Sequence, residues 1–249
     1  VKIDSDQNSS VDELRRRVEA TEQNPSRRAR LFQKFGGPRA AIIERLTEAI
    51  LTFIAEERSA LNGATVLDYG CGVMPYVAAF RIVGARVIGA DIGDNSDAAV
   101  RITDDGRLPI SENSIDYVVS FQVLEHVPVP NDYLKEAHRV TKSGGKLFLT
   151  THGQWPYHPT PTDYHRWTKA GLILELERAG FAVRSVTPVL NEFSAAVQNF
   201  VMNGEYRGYW RNYCRPVHWL AHCLIRFLES RYRYEPDIPA ILCIKGEKR

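Results

Sequence analysis

Residues 66–76 read Val66-Leu67-Asp68-Tyr69-Gly70-Cys71-Gly72-Val73-Met74-Pro75-Tyr76, an apolar strand that ends on an acid and runs into a glycine-rich turn. Val66 and Leu67 supply the buried strand and Asp68 stands at its carboxyl end. Gly70 and Gly72 let the backbone approach a ligand more closely than any side chain would permit. A carboxylate here is a poor host for a pyrophosphate, because two negative charges would face each other. It suits a ligand that carries an amine or a sulfonium. A dinucleotide turn would also want GxGxxG, and position 75 is proline.

Downstream of this turn, strands and helices alternate. A helix over 75–83 ends at Gly84, and a strand over 86–91 again closes on an acid, Asp91. A short strand over 98–103, a strand over Ile115–Phe121 and a helix over 131–140 follow. The Ser143-Gly144-Gly145 turn leads into a strand over Lys146–Thr150. Thr168 is placed to cap a helix running to Arg178, and Phe181–Val189 is the next strand. Repeated strand-then-helix units predict a parallel sheet covered on both faces, with ligands beyond the carboxyl ends of its strands. After Pro239, Ala240–Ile244 reads as a last, antiparallel strand. The expected class is therefore α/β: a Rossmann-like, doubly wound, seven-stranded sheet, mostly parallel.

Upstream, residues 1–10 are polar and read as frayed. Residues 11–35 are rich in arginine and predict short helices outside the main core. Ala41, Ile42, Leu46, Ile50, Phe53 and Ile54 recur at helical spacing after Pro38. Residues 191–236 break the strand–helix rhythm. They carry Phe193, Phe200, Tyr206, Tyr209, Trp210, Tyr213, Trp219, Phe227, Tyr232 and Tyr234, with arginines between them, and fit one or two amphipathic helices, particularly over 217–230. The expected organisation is a helical extension over 1–60, a ligand-binding core over 61–190, a helical insertion over 191–236, and a final strand and tail over 237–249.

Composition narrows the class. The 249 residues are 44% hydrophobic and 25% charged, with a net charge of +2, so the chain is not a polyanion magnet and nucleic acid is a disfavoured partner. The four cysteines, Cys71, Cys214, Cys223 and Cys243, lack paired spacing and read as free thiols of a reducing compartment. No apolar run approaches the roughly 20 residues of a spanning helix, and the polar start is unlike a signal peptide. A cytoplasmic protein is expected, with peripheral membrane contact left open and no reading of oligomeric state.

Four ordered features together resemble the class I S-adenosylmethionine-dependent methyltransferases, most closely the bacterial methyltransferase 11 group, over residues 65–187. The resemblance implies that the backbone of Gly70-Cys71-Gly72 cradles the methionine moiety of S-adenosylmethionine, with Tyr69 in the same turn and Asp68 holding the amine. It implies that Asp91, followed by Ile92, takes the ribose hydroxyls. In the loop Thr103-Asp104-Asp105-Gly106-Arg107-Leu108-Pro109, it implies an aspartate for the adenine amino group. Spacing favours Asp104, with Asp105 a close second. Phe121 and Gln122 would line the pocket where the fourth strand ends. Met74 departs from the family, which places a third glycine there. Its side chain either crowds the methionine end or points into the core.

Acceptor chemistry concentrates in residues 151–168, Thr-His-Gly-Gln-Trp-Pro-Tyr-His-Pro-Thr-Pro-Thr-Asp-Tyr-His-Arg-Trp-Thr, stiffened by Pro156, Pro159 and Pro161. The stretch is similar to a segment of methyltransferases found with bacterial glycan and polysaccharide assembly, matched by His158, Pro159, Pro161, Asp163, Tyr164, Arg166 and Thr168. Methyl transfer to a hydroxyl needs a proton acceptor, and histidine is the usual one near neutral pH. His158 or His165 is the expected base and Asp163 its orienting partner. Arg166 either pairs with Asp163 or holds an anionic acceptor group. His126 is a weaker candidate. His152, His158, Asp163 and His165 include metal-ligand types, but their spacing is not diagnostic and no metal is expected. The favoured function is methyl transfer from S-adenosylmethionine to a small-molecule or glycan hydroxyl. RNA methylation and a non-catalytic binding module on the same fold are the alternatives.

Overall fold

The computed structural model describes residues 5–208, 215–231 and 237–249. The amino-terminal part is helical: α1 (Ser5–Thr21), α2 (Pro25–Leu31), α3 (Ala40–Glu56) and the short α4 (Arg58–Leu61). Then follow β1 (Thr65–Tyr69), α5 (Val77–Ile82), β2 (Arg86–Asp91), β3 (Val100–Arg101), β4 (Ile115–Phe121), a 3-10 turn at Leu124–His126, α6 (Pro130–Val140), β5 (Thr141–His152), α7 (Lys169–Arg178) and β6 (Phe181–Val189). Two helices, α8 (Glu192–Tyr206) and α9 (Arg215–Arg231), precede β7 (Ile241–Lys248).

The described strands form one seven-stranded sheet in the order β3-β2-β1-β4-β5-β7-β6. Neighbours from β3 to β5 pair in parallel, and β7 runs antiparallel between β5 and β6. Alternation along the strands explains the layers. In β1, Val66 joins the apolar cluster on one face while Leu67 and Tyr69 join the cluster on the other. Helices start where their sequences supply caps. Asn24 accepts from the amides of Ser26 and Arg27, with Pro25 in the first turn, and Thr168 accepts from Gly171 N at 3.1 Å.

Several expectations need correction. The segment 1–10, read as frayed, is helical from Ser5, and residues 1–4 lie outside the described part. The segment 11–35 is not outside the core: Val11, Leu14, Val18 and Leu31 are buried in the same cluster as Phe53, Tyr117 and Phe148. Their apolar positions are sparse in sequence, yet on a helix they share one stripe. The third strand shrinks to Val100–Arg101. The fifth starts at Thr141, because Ser143-Gly144-Gly145 sits inside the strand as a break in register rather than as a turn ahead of it. There Gly145 lacks the Cβ that would stand 3.0 Å from Asp116 O. The last strand extends to Lys248. Tyr209, Trp210, Tyr213, Tyr232 and Tyr234 fall outside the described residues, as does Cys214. Cys71, Cys223 and Cys243 are free thiols.

This topology decides where chemistry can occur. Because β2, β1, β4 and β5 are parallel, their carboxyl ends bring Asp91, Tyr69, Phe121 and His152 to one edge of the sheet.

Candidate active site

At the end of β1 the chain turns through Gly70 and Gly72, both with positive φ (+76° and +51°). The two glycines differ in purpose. A Cβ on Gly70 would lie 2.6 Å from Val123 Cγ1, so the turn packs directly on the β4 exit, whereas a Cβ on Gly72 would meet nothing within 4 Å. Gly72 therefore fronts open space. Gly72 N donates to Asp91 Oδ2 at 3.0 Å and Ile92 N to Asp91 Oδ1 at 2.9 Å, which pins the second acid against the turn. Asn95 Nδ2 braces both, reaching Asp91 Oδ2 at 2.6 Å and Gly72 O at 2.7 Å. From the amino-terminal helices, Arg27 Nε donates to Val73 O at 2.7 Å while its Nη2 meets Asp97. Neither Asn95 nor Arg27 stood out in the sequence, since each acts through a backbone carbonyl that no motif records.

Asp68 is buried beside Asp91, and burial first, then the Asp91 charge, pushes its carboxyl up to about 8. Cys71 is buried and its thiol is pushed up to about 12, again mainly by burial. Met74, at φ +51°, is buried with Cys71 and Val77. A Cβ on Gly89 would lie 2.8 Å from Met74 Sδ and 2.9 Å from Cys71 Sγ, so Gly89 makes the room that Met74 fills. Met74 points into the core. Tyr69 is also turned inward: its ring stacks on Tyr133 at 4.0 Å and its hydroxyl donates to Gly106 O at 3.2 Å, tying β1 to the 103–107 loop. In that loop Asp105 is engaged by Thr103 and Arg107, and the hydroxyl of Thr103 leads the effects that hold its carboxyl below the usual range. Asp104 is exposed. Phe121 meets Tyr76 edge-on at 4.9 Å. Gln122 takes φ +58°, its Nε2 donates to Thr150 Oγ1 at 2.9 Å, and its Oε1 is buried without a hydrogen-bond partner.

A histidine cluster gathers beyond the ends of β4 and β5. His126 and His158 stack at 5.0 Å, His158 meets His152 edge-on at 5.3 Å, and His152 stacks on Trp155 at 5.1 Å. Behind them is Glu125, wholly buried. Its Oε1 lies 2.9 Å from His152 Nδ1 and its Oε2 accepts from Thr151 Oγ1 at 2.8 Å. His126 Nδ1 lies 2.5 Å from Thr162 O, an acceptor that demands a proton on Nδ1, so the neutral ring carries its lone pair on Nε2. Burial first, then the neighbouring His152 and His126, depress His158 to about 4, so its ring is neutral at neutral pH. His165 is engaged elsewhere, with Nε2 3.0 Å from Val127 O and its ring tilted against Trp167.

Asp163 touches His158 through the backbone amide at 2.8 Å, not through the ring it was expected to orient. Its carboxylate is forked by Arg166, whose remaining donors reach the carbonyls of Trp155, Pro156 and His165. Arg166 thus knits the loop and has no donor to spare for an anionic acceptor. Ligand atoms of His126, His158 and Asp163 lie within 4.8 Å of one another. The guanidinium fork on Asp163 sets a fixed positive charge beside any cation there, and this donor set is a poor metal site. The pair of Glu125 and His152 was missed by sequence reasoning.

The sequence profile of a family described as a methyltransferase domain matches residues 38–186. The chain belongs to that family. Its sheet order with an antiparallel last strand is that of the class I methyltransferases. Curated relatives include the ubiquinone biosynthesis O-methyltransferases of Pseudomonas paraeruginosa, 34% identical over 110 residues (39% of this chain, 47% of the relative), and of Hahella chejuensis, 36% identical over 115 residues (41% and 48%). The chain spans about half the length of these relatives. Among solved structures, the cyclase SpnF superposes with a TM-score of 0.58 at 18% identity, over 97% of this chain and 94% of that one. That likeness concerns the fold alone, and a fold does not fix a reaction.

Proposed function

We propose that this chain is an S-adenosylmethionine-dependent O-methyltransferase that acts on a hydroxyl of a small-molecule or glycan acceptor. Family membership supports the reaction class, and the naming of its relatives as O-methyltransferases supports oxygen as the acceptor atom. The residues at the β1 end fit the cofactor. Asp68 and Asp91 are two neighbouring carboxyls that ionise together readily only with a cation beside them, which an ammonium supplies. The open face of Gly72 leaves room for a backbone-hugging ligand, and Gln122 Oε1 is an unsatisfied acceptor. When bound, S-adenosylmethionine supplies a methyl group on a sulfonium, ready for in-line displacement. In this reading Asp68 takes the amine, Asp91 and the Asp104 loop take the nucleoside, and Ile92 and Phe121 give apolar contact.

The observation that carries the acceptor chemistry is the His126 tautomer. With Nδ1 held by Thr162 O, Nε2 is a lone pair of fixed direction that can take the hydroxyl proton. His158, neutral and stacked on it, removes a like charge from beside the base, and the Glu125–His152 pair fixes the floor. His158 remains the second candidate for the base, and His165 the third. The test is transfer of label from methyl-labelled cofactor to a panel of phenolic, quinol and glycosyl acceptors, followed by His126→Gln. Label in hydroxyl acceptors, lost in the variant, is expected. Label only in amines or nucleic acid, or none with any acceptor, sinks the assignment.

A further inference from the structure

Helix α9 is built inside out. Its inward side carries His218, His222, Ile225 and the half-buried Glu229, while Trp219, Leu220, Leu224 and Phe227 face outward at 51, 59, 45 and 57% exposure. At about 100° per residue, positions 219, 220, 223, 224 and 227 fall within one arc of about 140°. The orientation is held by specific bonds. His222 Nδ1 accepts from Gly36 N at 3.3 Å, its Nε2 lies 3.3 Å from Glu44 Oε2, and Glu229 Oε1 accepts from Asn191 N at 2.9 Å. Phe35, itself exposed, stacks on His222 at 4.0 Å and meets Trp219 edge-on at 6.3 Å, extending the apolar face. Rotating the helix to hide this face would break those bonds, so the face is displayed.

Its border is basic. Arg215 and Arg226 border one edge of the arc, Arg231 closes it at the carboxyl end of the helix, and exposed Lys34 and Arg39 stand on the neighbouring turn. The one acid of α9, Glu229, is turned inward; Glu44 beside the rim is shared by His222 and Arg226. No helix among the described residues is long and apolar enough to cross a membrane. Apolar and tryptophan side chains on one arc, with arginines beside it and at its end, are the composition of a helix that lies in a membrane interface. A twofold contact between copies would set this basic rim against itself, whereas an anionic surface neutralises it.

We infer that α9, with Phe35, is a docking face for an anionic lipid surface. The inference is independent of the acceptor assignment.

The test is co-sedimentation of the full chain with phosphatidylcholine vesicles, with and without phosphatidylglycerol. Binding to the anionic vesicles that weakens with salt is expected. The exposed pair Leu220→Gln and Phe227→Gln should reduce partitioning by about tenfold or more, with an unchanged thermal melt. Arg215→Gln and Arg231→Gln should each cost about fivefold on anionic vesicles only. Absence of binding to the anionic vesicles, or binding indifferent to Leu220→Gln and Phe227→Gln, overturns the inference. A dimer in light scattering that dissolves in the same double variant also overturns it and gives the face to a second copy.

Discussion

His152 Nδ1 lies 2.9 Å from Glu125 Oε1, and both side chains are withdrawn from solvent. Burial pushes the Glu125 carboxyl up, but the His152 imidazole and then the Thr151 hydroxyl offset it and hold it below the usual range. A carboxyl with a lower value folded than unfolded adds stability above the ordinary carboxylate range, and loses it as pH falls through the folded value. Glu125→Gln should therefore cost about 3 kcal/mol at neutral pH and progressively less in acid. Urea midpoints at the two pH values measure the difference; equal losses at both would refute an ionised Glu125 in the folded protein.

The two glycines of the turn separate folding from binding. Gly70→Ala combines φ +76° with a Cβ 2.6 Å from Val123, and should cost about 3 kcal/mol or more, visible as a collapsed thermal melt. Gly72→Ala meets no neighbour and pays only for φ +51°, about 1 kcal/mol. It should fold yet bind cofactor at least about tenfold more weakly, because the methyl stands where the ligand would lie. Undiminished affinity in Gly72→Ala would move the cradle elsewhere.

The contrast also marks what the sequence could convey. Strand alternation, the acid closing β2 and the Gly70-Cys71-Gly72 turn were legible, because period and chain reversal are local properties. Met74 was ambiguous, since the space it fills is made by Gly89, a residue of another strand. Glu125 reads in sequence like a solvated acid after a strand, and only the approach of β5 turns it into the buried partner of His152. Arg166 was read as a possible anion holder, but three backbone carbonyls supplied by the folded loop consume its donors. The display of α9 could not be read either: an amphipathic period over 217–230 does not say which arc meets the rest of the protein.

The three histidines should separate kinetically. His126→Gln should lower kcat by about a hundredfold to ten-thousandfold with cofactor affinity unchanged. His165→Gln removes the link to Val127 O and should lower thermal stability by about 1 kcal/mol, with kcat changed little at saturating substrate. A larger kcat loss in His165→Gln than in His126→Gln would reverse the assignment.

His158 makes a prediction about acid. Its folded value near 4 lies below the ordinary 6.5, so between these limits the unfolded chain binds more protons and stability falls with falling pH. His158→Gln removes that liability. Its denaturation midpoint should gain on the parent's as pH drops from about 6.5 to about 4, whatever their order at neutral pH. Parallel curves across this window would place a charged imidazole in the folded protein.

Asp68 couples pH to cofactor. Burial and Asp91 raise it to about 8 against 3.8 for the free side chain. The unfolded chain ionises first, so the ligand-free protein loses stability as pH rises from the ordinary value through about 8. Binding an ammonium beside Asp68 demands the ionised carboxylate. Cofactor binding at neutral pH must then release a proton, and affinity should climb with pH, by up to about tenfold per unit, until it levels near 8. Titration calorimetry in two buffers of different ionisation enthalpy reads the released proton directly. Asp68→Asn should bind more weakly, release none, and hold a flat affinity over the same range. A parent protein that binds with no proton release and no pH dependence would show that the amine is held by some other group.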